Sequence, residues 1–554
     1  MAIETINRQD ARFGMMIKSR NARWPGSATD AGAASRVVLC DTTEDVADAL
    51  NQIVGAGLRP TVRSGGHCYE DFIANNPNGA IIDLSMMSEA IRTSNTAGGY
   101  RIGAGTQIGT VYASLYKRHN VTLPGASCTT VGTGGHITGG GYGVLSRLQG
   151  ITVDWVTAVD IVTVDAKGHA TARKVDKKND ADLFRALRGG GGNNFGVITN
   201  YYFDTLPQAP SEVMAANISF SWDGMTEARF TKILDTYGNY WETRGKDPDT
   251  WGMFTGLSLS HRSSGRIGIG VQFCNPDGTC KDTRVLDEFL ALFNPCNPTI
   301  TPAVAGPLAA IDERAAQAAA PVPGGRGGGG GRGGNGGGGG NGGGGLPVPG
   351  QAAGGGGAGP ATCAPPMARR QDWIDATARG TSIAGSQRAK YKSTYMKKNF
   401  APEEIAVYWK HLSTIKGEAD RASCTISVDN YGGLTNRPEL ANETVVFARG
   451  SVMKLQFLSY WQSPADDAAR AAWIQDLYTD LYSTSVCDQK HLGTPYPNDR
   501  YEGCYINYPD ADMLKHDYWP ELYYGNTGIY PFLQQVKKKY DPNNVFHHAM
   551  SIRA

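Results

Sequence analysis

The sequence has no run of apolar residues close to the roughly 20 that a membrane-spanning helix requires, so we predict no membrane segment. It also has no excess of charge of either sign, because 53 lysine and arginine residues balance 52 aspartate and glutamate residues. We therefore expect neither a nucleic-acid nor a membrane partner. The N-terminus lacks the apolar segment of a signal peptide. This predicts a cytoplasmic protein as written, or a secreted or periplasmic one if an export signal was removed before residue 1.

The ten cysteines lack the paired C-x-x-C spacing that is typical of a zinc site. Cys274 and Cys280 enclose the Pro-Asp-Gly turn of CNPDGTC, and such a turn could bring two thiols within disulfide distance. A disulfide and a pair of free thiols both remain open for these two residues. His547 and His548 have no carboxylate or cysteine partner at suitable spacing. We therefore predict no metal site.

Residues 321–366 are dominated by glycine. Glycine has no side chain to bury and loses the most backbone entropy on folding, so we predict a disordered surface insertion. Two Arg-Gly-Gly units in this tract raise the alternative of an RNA-binding segment, although two arginines are few for that role.

Short strands alternate with helices before residue 208. TTEDVADALNQIVGAG is predicted to be a helix, since Thr42 and Asp45 resemble a capping box and its apolar residues share one face. RPTVRS, GAIIDLS and YRIGAGT are predicted to be short strands. The alternation indicates an α+β domain with mixed sheets over residues 1–208.

Longer alternating strands follow Pro207, among them MAANISFSWDG, GRIGIGVQFC, SCTISVDNYGG and VVFARGSVMKLQFLSYW. Helices such as ADDAARAAWIQDLYTDLYS accompany these strands. This pattern predicts a substrate-binding domain over residues 209–494, with one antiparallel sheet covered by helices. Residues 495–554 are expected to complete the first domain.

Three glycine-rich stretches differ from linker sequence, because histidine, cysteine, apolar and β-branched residues are interspersed among their glycines. They are RSGGHC, PGASCTTVGTGGHITGGGYG and RGGGGNNFGVIT. Such sequences are typical of a backbone that wraps closely around a ligand, with its N–H groups facing phosphates and hydroxyls. None of them matches the dinucleotide fingerprint G-x-G-x-x-G in its context, and no P-loop pattern is present. A Rossmann dehydrogenase is therefore disfavoured.

RSGGHCYEDF and PGASCTTVGTGGHITGGGYG together resemble the vanillyl-alcohol-oxidase/berberine-bridge-enzyme superfamily of FAD oxidases, which has a PCMH-type FAD-binding domain. The sequence is most similar to bicovalent-flavin carbohydrate and antibiotic-tailoring oxidases. The resemblance extends to CYINYPDADM and VKKKYDPNNVFHHAMSIR, is looser in the central domain and excludes the glycine insertion. It implies an α+β fold with a two-part FAD-binding domain.

In the family pattern, His67 corresponds to the histidine bonded to the flavin 8α-methyl group and Cys128 to the cysteine bonded to flavin C6. The resemblance thus implies FAD held covalently at two points, with a raised reduction potential that favours hydride acceptance from alcohols. Taken alone, His67 is more often a hydrogen-bonded loop residue and Cys128 a small buried apolar residue. Cys68, next to His67, competes for the cysteine attachment.

Further positions correspond to residues that surround the cofactor. His136 corresponds to the histidine hydrogen-bonded to the ribityl chain, and Val131 to a position where a small residue admits dioxygen, which implies an oxidase. The cofactor-binding positions are Arg63, Ser64, Gly65, Gly66, His67, Cys128, Val131, Gly132, Gly135, His136, Gly140, Gly141, Gly196, Val197 and Asn507.

YINYPD alternates like a strand, so Tyr505 and Asn507 are predicted to face away from Tyr508. The resemblance places the catalytic base at Tyr508 and a second active-site tyrosine at Tyr142. A phenol, with a usual pKa of about 10, is a base at neutral pH only if its phenolate is stabilised. We expect Tyr142 to donate to it. Three further positions correspond to the walls of the family's substrate pocket, namely Tyr395, Asp429 and Gln456.

The implied reaction is the oxidation of an anomeric or primary hydroxyl of a carbohydrate or glycosylated natural product, with dioxygen reduced to hydrogen peroxide. The alternative within enzymes is a tailoring oxidase of a polyketide or alkaloid alcohol. A flavin-storing or RNA-binding protein is the alternative from another class; it would produce no peroxide with any sugar and would bind RNA in a salt-dependent way. We expect a monomer whose partners are the small-molecule substrate and dioxygen.

Deletion of residues 321–366, closed by a short linker, is expected to leave the melting temperature and the flavin content nearly unchanged. The reason is that a glycine tract buries nothing and a long surface loop has a small closure cost. Differential scanning fluorimetry and the absorbance spectrum measure both. A colourless or unfolded product would show that the tract packs against the rest of the protein.

Overall fold

A computed structural model describes residues 3–25, 27, 29–93, 99–303, 367–378, 387–414 and 423–554. The described residues within Met1–Ala319 and Met367–Ala554 belong to one compact unit. The predicted insertion, residues 321–366, lies outside them. No helix in the described ranges is both long enough and apolar enough to cross a membrane.

Two sheets are formed by residues before 208. The first is mixed, with β1 antiparallel to β2 and the other two pairs parallel. It contains β1 (Glu4–Asn7), β2 (Arg36–Leu39), β3 (Pro60–Arg63) and β4 (Ala80–Asp83) in the order β1-β2-β4-β3. The second is antiparallel and contains β5 (Ala90–Arg92), β6 (Tyr100–Gly103), β7 (Ala158–Val164), β8 (Ala170–Asp176) and β9 (Val197–Phe203) in the order β5-β6-β9-β7-β8.

The third sheet follows residue 208 and is antiparallel throughout. Its strands are β10 (Glu212–Ser221), β11 (Met253–Ser260), β12 (Arg266–Phe273), β13 (Thr299–Pro302), β14 (Arg369–Asp372), β15 (Arg388–Met396), β16 (Cys424–Asn430) and β17 (Met453–Trp461). The order is β13-β10-β12-β11-β16-β17-β15, and β14 also pairs with β10. The sheets thus agree with the predicted α+β fold, while the boundaries at 208 and 494 stay a prediction.

Helices pack against these sheets. They are α1 (Phe13–Met16), α2 (Thr43–Gly55), α3 (Ile108–His119), α4 (Thr133–Thr138), α5 (Ser146–Gln149), α6 (Ala181–Ala186), α7 (Glu227–Thr243), α8 (Arg284–Ala291), α9 (Trp373–Ala378), α10 (Pro402–Ser413), α11 (Asp467–Leu481), α12 (Trp519–Tyr524) and α13 (Ile529–Tyr540). Short 3-10 segments are Thr152–Asp154, Pro248–Thr250, Arg262–Ser264, Asn294–Cys296, Gly433–Thr435, Pro438–Leu440, Pro464–Asp466 and Ala511–Lys515. α2 begins with the predicted capping box, in which Thr42 Oγ1 accepts from Asp45 N–H over 3.0 Å and Asp45 Oδ2 accepts from Thr42 N–H over 2.9 Å.

YINYPD is not a strand, so the prediction from its alternating pattern was wrong. Residues 505–508 form a turn in which Tyr508 N–H donates to Tyr505 O over 2.8 Å. Tyr505 N–H donates to a side chain, Ser393 Oγ, over 3.0 Å, so the segment lacks a strand's ladder of backbone partners. The turn brings the Tyr505 and Tyr508 rings together, with centroids 5.0 Å apart, where the strand pattern had them on opposite faces.

Cys274 and Cys280 are buried free thiols, which answers the question that the sequence left open. Each thiol lies against a backbone carbonyl, since Cys274 Sγ is 3.9 Å from Gly252 O and Cys280 Sγ is 3.6 Å from Phe273 O. Burial raises the pKa of Cys280 to about 12, so this thiol stays protonated.

Candidate active site

A cavity of about 330 Å³ lies where the glycine-rich stretches meet β15, β16, β17 and the C-terminal segment. Most of the predicted site residues line it. They are Ser64, Gly65, Gly66, His67, Cys128, Val131, Gly132, Gly135, His136, Tyr142, Gly196, Val197, Asp429, Gln456, Asn507 and Tyr508. No group of three histidine, cysteine, aspartate or glutamate side chains within the described ranges could hold a metal ion.

Four predicted residues lie outside the cavity wall. Arg63 is buried in an ion pair with Asp83, in which Nε donates to Oδ2 over 2.8 Å. Gly140 and Gly141 have φ angles of 121° and 77°, which favour glycine. Tyr395, expected in the substrate wall, pairs with Lys454 on the same face of the sheet, but it packs against the rings of Tyr431 and Tyr505 and does not line the cavity. These residues support the wall from outside.

The glycines form a narrow cradle. A Cβ on Gly65 would lie 2.3 Å from Gly132 N, and a Cβ on Gly132 would lie 2.0 Å from Ser64 Oγ, so neither position accepts a side chain. Gly135 lines the cavity, and nothing lies within 4 Å of where its Cβ would be. A side chain there would therefore fill ligand space. Bare backbone on two sides of a long cavity fits the phosphates and hydroxyls of a dinucleotide such as FAD.

His67 and Cys128 lie beside the same hydroxyl. His67 Nε2 is 3.1 Å from Thr130 Oγ1, and Cys128 Sγ is 3.6 Å from that oxygen. Burial, assisted by the nearby charge of Arg20, lowers the pKa of His67 to about 3. The imidazole is therefore neutral, with a lone pair available for a bond to carbon. Both side chains line the cavity, so one ring system could reach both of them.

Cys68 also lines the cavity and is the alternative attachment point. Burial raises its pKa to about 12. Since the thiolate is the nucleophilic form of cysteine, this shift weighs against Cys68 as the attachment residue.

His136 is a neutral hydrogen-bond acceptor. Its Nε2 accepts from Ala126 N–H over 3.0 Å, which leaves the ring proton on Nδ1. Burial and the charge of Lys454 lower the pKa of His136 to about 4. Asn507 holds the backbone of the same residue, because its Nδ2 donates to His136 O over 2.8 Å. The C-terminal turn and the glycine cradle are thereby joined.

Lys454 occupies the centre of the polar wall, and the sequence analysis missed it. Its side chain is 1% exposed. Nζ donates to Tyr508 Oη over 3.2 Å and lies 3.1 Å from Asp429 Oδ2. Burial acts to lower the Lys454 pKa, but Tyr508 and Asp429 raise it above its usual value. The ammonium therefore stays charged and favours the phenolate form of Tyr508.

Tyr142 was predicted to donate a hydrogen bond to Tyr508, but the donor to Tyr508 in the structure is Lys454. Tyr142 Oη donates to Asn430 O instead, because the end of β16 presents that carbonyl to the phenol. Burial and the charge of Asp429 raise the pKa of Tyr142 well above its usual value. Tyr142 contributes to the wall through its ring, since Lys454 Nζ lies 4.6 Å from the ring centroid.

Cross-strand register explains why these side chains meet. Lys454 on β17 pairs directly with Asp429 on β16 and with Tyr395 on β15. Residues two apart on a strand share a face, so Gln456 lies beside Lys454 on the cavity side. Because Gln456 was predicted to line the wall, the two-residue period of a strand also predicts Lys454 in the wall.

Tyr69 is a second wall residue that the sequence analysis missed. Its Oη accepts from Gln456 Nε2 over 2.7 Å. Its ring stacks on Tyr391 with centroids 3.6 Å apart and on Tyr508 with centroids 5.3 Å apart. Tyr69 and Tyr391 thus continue the wall beyond Tyr508.

The glycine cradle, together with the pair of buried Lys454 and partly buried Tyr508, fits an FAD-linked oxidoreductase. The sequence profile of an FAD binding domain matches residues 34–171, and that of the berberine and berberine-like proteins matches residues 504–553. The chain is 32% identical to aclacinomycin-N/aclacinomycin-A oxidase of Streptomyces galilaeus, over 100% of this chain and 90% of that one. It is 30% identical to hexose oxidase of Chondrus crispus, over 99% and 94%.

A solved structure of a glycopeptide hexose oxidase complexed with teicoplanin is similar over 100% of this chain and 99% of that one, with a TM-score of 0.78 and 28% identity. The chain therefore belongs to the berberine-bridge-enzyme-like family of FAD-linked oxidases, as its motifs predicted. Its PCMH-type α+β fold is confirmed by the same comparisons.

We expect the flavin to stay with the polypeptide after acid precipitation, giving a yellow pellet. His67→Ala and Cys128→Ala should each leave one bond, so only the double variant should release its flavin. Cys68→Ala is the matched control and should keep both bonds. Mass spectrometry of flavin peptides measures each link. A colourless pellet from flavin-loaded parent protein would contradict covalent attachment, and loss of one link in Cys68→Ala would contradict the assignment to Cys128.

Proposed function

We propose that this protein is an oxidase that carries FAD on His67 and Cys128 and oxidises an alcohol of a glycosylated natural product or carbohydrate. The contact of Lys454 with Tyr508 and Asp429, in the wall of the cavity that His67 and Cys128 also line, carries the proposal. When bound, the flavin supplies the hydride acceptor and passes the electrons to dioxygen, with hydrogen peroxide as the product.

Tyr508 is the general base of this proposal. Its Oη takes the proton from the oxygen of the substrate hydroxyl, while the hydride leaves the carbon that bears this hydroxyl. Neighbouring phenols are less suited, because burial raises the pKa of Tyr505 to about 12 and raises that of Tyr142 further. Lys454 stabilises the phenolate of Tyr508, and Asp429 balances the lysine charge. Asp429 in turn accepts from Ser427 Oγ over 3.3 Å, which keeps the carboxylate in place.

The polarity of the wall favours a substrate with a polar head and an apolar body. Lys454, Gln456, Leu458 and Tyr460 all line the cavity and share one face of β17. Successive residues on that face are about 7 Å apart, so the row spans about 20 Å. Its polar end lies at Tyr508, and its apolar end belongs to a cluster with Tyr391. This supports a sugar joined to an apolar aglycone over a free monosaccharide.

Two relatives agree with this preference. One is named for aclacinomycin, and the solved hexose oxidase is complexed with the glycopeptide teicoplanin. The apolar end of the wall equally suits an alcohol on the aglycone itself. Oxidation of a polyketide or alkaloid alcohol is therefore the second candidate function.

A panel of alcohols distinguishes these substrates through peroxide production. We expect kcat/KM to be highest for glycosides with an aromatic or polyketide aglycone, lower for oligosaccharides and lowest for monosaccharides. The reason is that only the first group buries apolar surface against Leu458 and Tyr460. A higher kcat/KM for the free aglycones would support the second candidate. The highest kcat/KM with glucose would agree with a carbohydrate oxidase but contradict the preference for an apolar aglycone. RNA binding without peroxide from any alcohol would favour a non-enzymatic role.

Tyr508→Phe deletes the proposed acceptor oxygen but keeps the ring. Flavin reduction by substrate should slow by roughly 100- to 10,000-fold, the usual range for a general base. The substrate Kd should change much less, since the lost contact acts in the transition state. Lys454→Met should slow reduction and move the rising limb of its pH profile to higher pH, because the phenolate loses its cation. Anaerobic stopped-flow absorbance measures these rates.

Tyr408→Phe is the matched control, since Tyr408 is buried and lies outside the residues that line the cavity. Its reduction rate should stay within a few-fold of the parent. A Tyr508→Phe variant that reduces as fast as Tyr408→Phe would remove Tyr508 from the role of base. An unchanged pH profile in Lys454→Met would show that the lysine does not act on the phenol.

A further inference from the structure

A cluster of five charged side chains lies outside the described cavity wall. Lys390 Nζ is 2.8 Å from Glu70 Oε1, 2.7 Å from Asp510 Oδ1 and 3.2 Å from Asp512 Oδ1. Lys392 Nζ is 2.6 Å from Asp510 Oδ2 and 3.0 Å from Asp512 Oδ2. The two lysines alternate with Tyr391 on β15, while the carboxylates come from two other parts of the chain.

Burial makes the members of this cluster depend on one another. The side chains of Lys390, Lys392, Glu70 and Asp510 are at most 6% exposed, and that of Asp512 is 41% exposed. Removing one partner of a buried pair leaves an uncompensated charge in a medium of low dielectric constant. The segments that carry these groups therefore cannot move apart independently.

The cluster joins the cofactor loop to the turn that carries the proposed base. Glu70 lies three residues after His67, and Asp510 lies two residues after Tyr508. Lys390 binds both carboxylates. A direct bond reinforces the contact, because Glu70 Oε1 also accepts from Ala511 N–H over 3.1 Å. The loop that carries His67 and the turn that carries Tyr508 are thereby both anchored to β15.

The chain that enters the turn is joined to β15 by backbone hydrogen bonds, from Tyr395 N–H to Gly503 O over 2.9 Å and from Glu502 N–H to Tyr395 O over 3.0 Å. The first residue of the turn, Tyr505, donates its N–H to Ser393 Oγ over 3.0 Å, and beyond Tyr508 the chain is held by Asp510. The opposite face of β15 presents Tyr391, which stacks on Tyr69, and Tyr69 stacks on Tyr508. A displacement of the cluster would therefore shift the row of tyrosine rings that contains Tyr508.

We propose that the cluster of Lys390, Lys392, Glu70, Asp510 and Asp512 is a positioning device that fixes Tyr508 relative to the loop of His67. The cluster touches neither substrate nor cofactor and acts through Tyr508, so its members are positioning residues. This inference rests on the proposed function, in which Tyr508 accepts the substrate proton. Loosening the cluster would leave the cofactor in place but misalign the base.

Glu70→Gln tests the inference against a matched buried pair. Asp154 pairs with Arg449 over 2.7 Å, with side chains 1% and 5% exposed, and neither residue lines the cavity. Asp154→Asn therefore removes an equally buried carboxylate. Both variants should melt at lower temperature, and both should hold flavin. Only Glu70→Gln should slow flavin reduction, by roughly 100-fold for a misplacement of about 1 Å, with little change in substrate Kd.

A double-variant cycle separates positioning from general damage. In the Tyr508→Phe background, Glu70→Gln should slow reduction by no more than a few-fold, because the group that it positions is already gone. An equal slowing in both backgrounds, or an equal slowing by Asp154→Asn, would overturn the proposal. If Glu70→Gln does not fold, Asp512→Asn at the half-exposed rim replaces it. That variant should also slow reduction, and a parental rate would overturn the proposal.

A measurement without substrate tests the positioning role separately from the proposed function. If no alcohol reduces the parent protein, the proposed function fails, whereas the geometry around the flavin can still be followed by visible circular dichroism. Glu70→Gln should change that spectrum and Asp154→Asn should not. An unchanged spectrum in Glu70→Gln would show that the cluster does not position the wall around the cofactor.

Discussion

The buried ammonium of Lys454 sets conditions that the surrounding structure has to meet. An uncompensated charge at such a position costs about 3–5 kcal/mol, so the fold must bring matching groups to it. Asp429 supplies the opposite charge, and the rings of Tyr142 and Tyr508 offer their faces with centroids 4.6 Å from Nζ. The same surroundings that stabilise the cation also bring a phenol oxygen within hydrogen-bond distance of it.

The register between β16 and β17 brings Asp429 next to Lys454. Asp429 and Lys454 are directly opposite each other on β16 and β17, and a slip of one residue would turn Lys454 away from the cavity. The strands that carry them and the neighbouring β15 are consecutive in the sequence, and β17 pairs with both β15 and β16, so the site requires both pairings. The chemistry of Tyr508 thus depends on pairing between strands that do not contain it.

How much of this the sequence predicts depends on how local each feature is. The glycine motifs with His67 and Cys128 are local, because tight backbone approach requires glycine at particular positions, and they predicted the cradle and the family. YINYPD failed because alternation alone cannot show that a segment has no strand partner. The lysine was missed for a related reason. A lysine in an alternating strand normally faces solvent, so the period shared with Gln456 was not applied to Lys454, and the pairing with Asp429 shows that Lys454 faces inward.

The two charged groups on either side of the tyrosine row have different consequences for the chemistry. Lys454 contacts the phenol of Tyr508 directly, so it acts on the proton equilibrium. Lys390 lies behind the row and contacts Asp510, which follows the phenol, and Glu70, which follows His67, so it acts on distance and angle. Lys454 stabilises the phenolate of Tyr508 simply by being close to it. This stabilisation by itself does not require the cluster around Lys390. If Tyr508 is the base and the flavin is attached to the loop of His67, as proposed, the cluster is required, since electrostatic stabilisation does not fix the position of a turn.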